Sequence, residues 1–113
     1  MPADPRPIVH AQMVAADYFG VTRADILARG RSRKVVEARH VAMWLARLRG
    51  QPSFPELGRA FRRDHTTVMP AIRKIERKIA TNPELARACA DCLRALAVFE
   101  AECRAQLLVG QAA

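Results

Sequence analysis

The chain carries one pair of side chains that could act as acid and base in catalysis, Asp64 and His65, and the hydroxyl of Thr66 follows them. In a catalytic triad a carboxylate orients an imidazole, and the imidazole takes a proton from a nucleophile. Neighbouring residues on a helix point about 100° apart, so Asp64 cannot orient His65 in this way. No pattern places a serine or cysteine nucleophile beside the pair. The sequence therefore predicts that the protein is not an enzyme.

A second group that could do chemistry is a set of three cysteines near the end of the chain, Cys89, Cys92 and Cys103. A structural zinc site needs four ligands. The other available ligands are three histidines on separate predicted elements: His10, His40 and His65. Cysteines so close on one helix cannot pair without distorting the backbone. We expect buried free thiols in a reducing compartment, and neither a metal nor another cofactor.

Positive charge dominates the other polar residues. With 113 residues and 12.6 kDa, the chain has room for one compact domain and an accessory helix, which excludes a two-domain enzyme with its own nucleotide fold. Its 19 Lys and Arg against 11 Asp and Glu give a net charge of +8. Such a charge attracts polyanions, and nucleic acid above all.

The charge is concentrated in two segments. Residues 29–49 hold seven basic side chains and one acidic one, and residues 59–78 hold seven basic and two acidic ones. Residues 83–113 hold three arginines and four acids, so this last segment should face protein or solvent. Taken alone, each basic cluster is more simply interpreted as a solvent-exposed surface than as a binding site.

The composition favours helices. Half of the residues are hydrophobic and only 5% are aromatic, which predicts an all-α fold class. No apolar stretch reaches the roughly 18 residues of a membrane span. Residues 1–7 contain three prolines and two charged residues instead of a signal sequence. We expect residues 1–7 to be a disordered leader and the protein to be cytoplasmic.

Apolar spacing and capping residues divide the remainder into six helices. The buried face of the first is predicted to comprise Val9, Met13, Val14 and Tyr18. A stretch of basic residues at 29–34 precedes the third and central helix, and lies in solvent or against a partner. The predicted ranges are Ile8–Phe19, a short helix opened by Thr22 and ending by Gly30, Val35–Leu48, Phe54–Phe61, His65–Ile79, and a long helix from Pro83 with no breaker before Gly110.

Two of these helices form a predicted helix-turn-helix. Ser53 and Glu56 have the spacing of a capping box, and residues 62–64 are a tight turn before the next helix. That second helix opens with Thr66 and Thr67, which are small enough to reach base edges and phosphates. The two basic segments flank this motif, which favours double-stranded DNA as the partner over a purely solvated surface.

Several sequence strings together resemble one known family. They are Ala38-Arg39-His40-Val41-Ala42-Met43, Ser53-Phe54-Pro55-Glu56-Leu57-Gly58, and Arg63-Asp64-His65-Thr66-Thr67-Val68 with Ile72-Arg73-Lys74-Ile75-Glu76. The family is the C-terminal DNA-binding domain of the bacterial replication initiator DnaA, and the likeness runs from about Ile8 to Leu96. It implies a six-helix bundle with an embedded helix-turn-helix, similar to the Trp repressor fold.

The resemblance implies a DNA-binding role for each matching residue. The implied base contacts are Arg31 in the minor groove, Asp64, His65 and Thr66 in the major groove, and Phe54 and Pro55 on thymine methyl groups. The implied phosphate contacts are Arg33, Arg47, Ser53, Arg63, Thr67, Arg73 and Lys74. The physics agrees, because short side chains at a helix start can enter the major groove and an arginine suits a narrow minor groove.

The chain departs from the family's pattern at three places. Only Arg62 stands between Phe61 and Arg63, where the family usually has two glycines, so the turn is tighter and more basic. Pro70 lacks an N–H and is expected to kink its helix or delay the regular start, which would tilt the base-reading residues. Gly30 replaces a residue that is commonly basic.

The sequence contains no phosphate-binding Gly-Lys-Ser/Thr loop, so we expect no nucleotide and no initiator acting alone. We expect a stand-alone or excised DNA-reading module, associated with the nucleoid, that regulates transcription at DnaA-box-like sites. Two alternatives are a competitor of the replication initiator at its sites and a protein-interaction adaptor whose basic face binds an acidic partner.

The last predicted helix carries an apolar seam that continues past the family's domain. We assign residues 8–96 to the domain and residues 97–113 to a helical extension. Phe99, Cys103 and Leu107 continue the seam along that extension. Either this surface caps the core of its own chain, or it binds a protein partner or a second copy.

Overall fold

A computed structural model describes residues 6–112 of the protein. These residues form six helices and confirm the all-α fold with an embedded helix-turn-helix. The helices are α1 (Arg6–Phe19), α2 (Arg23–Leu27), α3 (Arg33–Gly50), α4 (Phe54–Phe61), α5 (His65–Thr81) and α6 (Pro83–Ala112). The bounds of α4 are the predicted ones, and the bounds of the other helices differ by a few residues.

Helix α1 begins two residues before the predicted Ile8. Pro7 is compatible with this start because the first turn of a helix needs no N–H donor. The helix ends at Phe19 because Gly20 follows in a left-handed conformation, with φ at 71°. The rest of the predicted leader, residues 1–5, lies outside the described residues.

The buried face of α1 differs from the predicted one. Met13 and Tyr18 are each 44% exposed. The residues that α1 buries are Ile8, Ala11, Gln12, Val14, Ala15 and Ala16. Val14 is buried as predicted, but the prediction was wrong for Met13 and Tyr18. It counted large apolar residues only, whereas small alanines let α1 approach α3 closely along its most extensive contact.

Helix α3 is the centre of the fold and contacts all five other helices. It begins after Ser32, whose hydroxyl accepts a hydrogen bond from the amide of Val35, and it ends at Gln51 in a left-handed conformation. Its apolar core residues are Ala38, Val41, Ala42, Met43, Leu45 and Ala46. Trp44 is half-buried against this core, whereas Leu48 near the end of the helix is 50% exposed.

Helices α4 and α5 form the predicted helix-turn-helix and pack on α3. Ser53 and Glu56 make the capping box that begins α4. Arg62 ends the helix in a left-handed conformation, with φ at 56°, and the amide of Arg63 donates to the carbonyl of Gly58 at 2.8 Å. A Cβ atom on Gly58 would lie 2.8 Å from the carbonyl oxygen of Arg63, so glycine is required where the turn passes over α4.

Pro70 lies inside α5, which still begins at His65 and runs without interruption to Thr81. The expectation that the proline delays the regular helix was therefore wrong. The missing N–H of Pro70 would have bonded to the carbonyl of Thr66 in the first turn. Because Thr66 is exposed, water can take the place of that bond.

Helix α6 begins at Pro83 after the cap residue Asn82, whose Oδ1 accepts from the amide of Leu85 at 3.2 Å. Its 30 residues span about 45 Å, close to the longest dimension of the fold, 46 Å. The predicted seam is buried at Leu85, Cys89, Cys92 and Leu96. Within residues 6–112 no helix is both long and apolar enough to cross a membrane.

Candidate nucleic-acid interface

The start of α5 is exposed and is organised by its N-cap, Asp64. The Oδ1 atom of Asp64 accepts hydrogen bonds from the amide of Thr66 at 2.9 Å and from its hydroxyl at 2.8 Å. These bonds lower the pKa of Asp64 below its ordinary value. The hydroxyl of Thr67 donates to the carbonyl of Asp64 at 2.8 Å. Residues 64–67 are all exposed, and the buried Val68 fixes them from below.

His65, the first residue of α5, lies on the same surface. Its side chain is 58% exposed, and its Nδ1 atom is 3.8 Å from Oδ1 of Asp64. This distance is too long for a hydrogen bond, so the carboxylate does not orient the imidazole. The pair therefore lacks the carboxylate–imidazole hydrogen bond of a catalytic triad.

The basic loop, residues 28–32 between α2 and α3, is held from below by Arg39. This arginine is only 5% exposed. Its Nε donates to the carbonyl of Ile26 at 2.7 Å, and its Nη2 donates to the carbonyls of Ala28 at 2.9 Å and Gly30 at 3.2 Å. A buried cation thus fixes the backbone of the loop. Sequence reasoning had counted Arg39 only as part of the basic surface.

Arg63, in the turn of the helix-turn-helix, joins that turn to the basic loop. Its Nη2 donates to the carbonyl of Ala28 at 2.5 Å, and its Nη1 donates to the carbonyls of Phe61 at 3.3 Å and Arg62 at 3.2 Å. The carbonyl of Ala28 therefore accepts from two guanidinium groups. Burial, and next the charge of Arg63, lower the pKa of Arg39.

A cleft of about 370 Å³ lies between the basic loop and the turn. Arg29 and Arg31 line it from the loop, and Arg62, Arg63 and Asp64 line it from the turn. The fold thus brings Arg31 and the start of α5 to one surface, although more than thirty residues separate them in sequence.

The residues predicted at the start of α4 have structural partners. The guanidinium carbon of Arg47 lies 4.5 Å from the ring centroid of Phe54, and its Nη1 donates to the carbonyl of Pro52 at 2.5 Å. The hydroxyl of Ser53 caps α4. Pro55 is exposed. Arg47 and Ser53 therefore stabilise this corner of the fold, whatever else they bind.

Three of the predicted phosphate contacts, Arg33, Arg73 and Lys74, are exposed and have no hydrogen bond or ion pair within residues 6–112. The charges of Lys74 and Arg63 both act on His40, which lies behind this surface. Among the described residues, no contact joins Arg33 or Arg73 to the cleft.

His40 lies half-buried on α3 behind this surface. Desolvation is the main cause that lowers its pKa to about 4, and the charges of Lys74, Arg39, Lys78 and Arg63 lower it further. The imidazole is therefore neutral at pH 7 and adds nothing to the positive surface.

The three thiols lie away from this surface. Cys89 and Cys92 are buried, Cys103 is half-buried, and all are free. Burial raises the pKa of Cys89 to about 11 and that of Cys92 to about 12, so both stay protonated at neutral pH. Across residues 6–112 no group of three or more His, Cys, Asp or Glu could hold a metal ion.

The extension of α6 is partly covered by its own chain. Phe99 packs edge to face on His10, with 4.8 Å between ring centroids, and Cys103 is half-buried. The Nη2 of Arg49 donates to Oε2 of Glu100 at 2.6 Å. Beyond these contacts α6 exposes three apolar side chains: Leu107, Leu108 and Val109.

The fold and this surface define a helix-turn-helix domain of the DNA-binding class. The family described as the bacterial dnaA protein helix-turn-helix matches residues 9–75, more than half of the chain. The chain belongs to this family.

Its curated relatives include chromosomal replication initiator proteins DnaA. It is 42% identical to that of Brucella abortus over 81 residues, which are 71% of this chain and 16% of the relative. It is 44% identical to that of Nitrobacter hamburgensis over 87 residues, 74% of this chain and 18% of the relative. A crystal structure of a DNA replication initiation factor matches with a TM-score of 0.68 and 31% identity, over 80% of this chain and 29% of that one. The chain thus spans less than a fifth of these two curated relatives.

Proposed function

We propose that the chain binds double-stranded DNA sequence-specifically, with the start of α5 in the major groove and Arg31 in the adjacent minor groove. The observation that carries this proposal is the cleft that sets Arg31 opposite residues 62–64. A helix-turn-helix presents the first residues of its second helix to base edges, and a basic arm beside it can enter the neighbouring minor groove. Residues 64–67 are exposed and therefore accessible to base edges in the major groove. Arg31 on the loop is also exposed and therefore accessible to the minor groove.

The side chains proposed to contact bases are those whose polar atoms remain accessible. The Oδ2 atom of Asp64 has no partner within residues 6–112 and can accept from an amino group of cytosine. His65 and Thr66 lie beside it on the exposed first turn. Of the two apolar residues assigned to thymine methyl groups, Pro55 is the more accessible, because Arg47 covers one face of the Phe54 ring.

The residues best suited to bind phosphates are exposed cations that have no hydrogen bond or ion pair within residues 6–112. Arg33, Arg73 and Lys74 meet this description. The other assigned residues can contact phosphates only from positions that also stabilise the fold: Arg47, Ser53, Arg63 and Thr67. If about six phosphates are neutralised, log K falls with log salt with a slope of about −5.

Selection from a random duplex pool tests this proposal, followed by anisotropy titrations of a selected and a scrambled duplex at fixed salt. We expect a preference of about a thousandfold or more. His65→Ala should cost about 1–3 kcal/mol on the selected duplex and flatten the preference, whereas Arg73→Ala should weaken both duplexes alike. A ratio near one with weak binding would reject the proposal in favour of the protein-interaction adaptor.

We further propose that this binding regulates transcription at DnaA-box-like sites, on the nucleoid in the cytoplasm. Membership of the family and the duplex-reading surface support this role. Mapping of bound chromosomal sites, combined with transcript levels after deletion, tests it. Promoter sites whose transcripts change are the expected result. Binding confined to initiator sites, with altered replication timing and unchanged transcripts, would identify a competitor of the initiator instead.

Contact with a protein partner or a second copy through Phe99, Cys103 and Leu107 stays a prediction. Of these three residues only Leu107 is exposed, at 56%. The contact surface would therefore lie at the end of α6 and not along the whole extension.

A further inference from the structure

We propose that Arg39 is a positioning residue for DNA recognition, which fixes the basic loop so that Arg31 stands beside the start of α5. This inference rests on the proposed duplex binding. It adds the residue that aligns the two elements proposed to contact DNA, which are the basic loop and the start of α5. Arg39 lies on the core side of α3 and is only 5% exposed, and it is one of the residues that line the cleft between the basic loop and the turn. Because its hydrogen bonds go to the loop and to the end of α2, its effect on DNA acts chiefly through the loop.

All the hydrogen bonds of Arg39 go to backbone carbonyls just before Arg31. Its donors reach the end of α2 and the loop: Ile26 at 2.7 Å, Ala28 at 2.9 Å, Gly30 at 3.2 Å and Asp25 at 3.5 Å. The carbonyls of Asp25, Ile26 and Ala28 lie at the C-terminal end of α2, a helix of five residues that is too short to be stable alone, and the carbonyl of Gly30 lies in the loop. The guanidinium replaces the bonds that a longer helix would make.

No carboxylate pairs with Arg39 among residues 6–112, and its nearest charged influence is the cation of Arg63. A buried charge without a counter-ion is costly, and an apolar side chain would fill the same space at lower cost. Packing alone therefore does not explain an arginine here. The loop carbonyls explain the arginine, because they need several hydrogen-bond donors in a planar fork, and only arginine offers such a fork.

The same network links the loop to the recognition helix. The carbonyl of Ala28 accepts from Arg39 below and from Arg63 in the turn, at 2.9 and 2.5 Å. The loop is thus bonded both to α3 and to the residue that precedes the N-cap of α5. With its backbone held in this way, Arg31 enters a groove without first ordering the loop, which saves conformational entropy on binding.

A double-mutant cycle tests this role. Arg39→Lys keeps the charge, but one ammonium group cannot reach all four carbonyls. On the selected duplex, Arg31→Ala should weaken binding about tenfold in the wild-type background and less than about twofold in the Arg39→Lys background. Arg73→Ala should cost the same factor in both. An Arg31→Ala effect of equal size in both backgrounds would overturn the positioning role.

Limited proteolysis of the free protein gives a readout without DNA. Trypsin cleavage after Arg29 and Arg31, measured relative to cleavage elsewhere, should rise about tenfold in Arg39→Lys, because the loop opens without global unfolding. Met43→Ala, which removes a buried side chain one turn further along α3, is the control for lost stability and should leave the ratio unchanged. A loop no more cleavable in Arg39→Lys than in Met43→Ala would also refute the inference.

Failure of the inference and failure of the proposed function are distinguishable. If the wild-type chain prefers no duplex, the proposed function fails, and the proteolysis still decides whether Arg39 holds the loop. If the chain binds its selected duplex but the cycle shows no coupling, DNA binding stands and the inference fails. If Arg39→Lys does not fold, Arg39→Gln, which also removes the fork, takes its place in both measurements.

Discussion

Replacement of Gly58 by alanine should destabilise the helix-turn-helix. The new Cβ would lie 2.8 Å from the carbonyl oxygen of Arg63, 3.0 Å from the amide nitrogen of His65 and 3.1 Å from its Cα. All three are backbone atoms, so the turn itself must move. Overpacking of this kind costs about 1–3 kcal/mol, and the better helix propensity of alanine returns about 1 kcal/mol. Three close contacts favour the upper end, which leaves a net loss of about 1–2 kcal/mol.

Thermal unfolding followed by circular dichroism measures this loss. For a domain of this size, it corresponds to a melting temperature lower by about 4–8 °C. Gly110→Ala is the matched control, because a Cβ there has nothing within 4 Å, and it should melt at the wild-type temperature or slightly above. If Gly58→Ala melted as high as that control, the close approach of the turn to α4 would not be a constraint and the reasoning would be refuted.

Three further predictions concern the cap, the buried histidine and the last helix. Asp64→Ala should lower the melting temperature by about 4 °C because α5 loses its N-cap, whereas Asp64→Asn keeps a capping oxygen and should melt close to wild type; equal losses would contradict the capping role. His40 has a pKa of about 4 when folded and 6.5 when unfolded, so the unfolded chain takes up a proton first and stability is lost as the pH falls from 6.5 to 4. His40→Gln should flatten this part of the urea-unfolding profile by about 1–2 kcal/mol, a figure reduced for solvent screening, and a profile of unchanged slope would argue against it. In light scattering, the mass of the wild-type chain should rise with concentration and that of Leu107→Glu should not; a constant monomer mass for both would remove self-association.

The helix-turn-helix could be predicted from sequence because its signals are local. The capping box at Ser53 and Glu56 and the proline at position 55 predicted the start of α4 at the residue where the structure begins it. Pro83 did the same for α6. Caps depend on hydrogen bonds between residues two or three positions apart, and such spacing is visible in a linear string.

The roles of the arginines could not be predicted in the same way. Arg39 and Arg63 bond to carbonyls of segments that are distant in sequence, and nothing in a linear string shows which backbone oxygens will converge on them. One signal was present for Arg39. It lies three and seven residues before Ala42 and Ala46, on the buried face of α3, so its helical position already pointed inward.

The attachment of both the basic loop and α5 to α3 has a consequence for the length of the proposed binding site. Helix α5 packs on α3, and the basic loop is bonded to Arg39 of α3, so the span between Arg31 and His65 is set by the protein. One extra base pair between the minor-groove and major-groove tracts would shift one of them by about 3.4 Å and rotate it by about 35°. In the proposed mode of binding, the protein would therefore accept a tract of altered length only if the DNA itself twisted to fit.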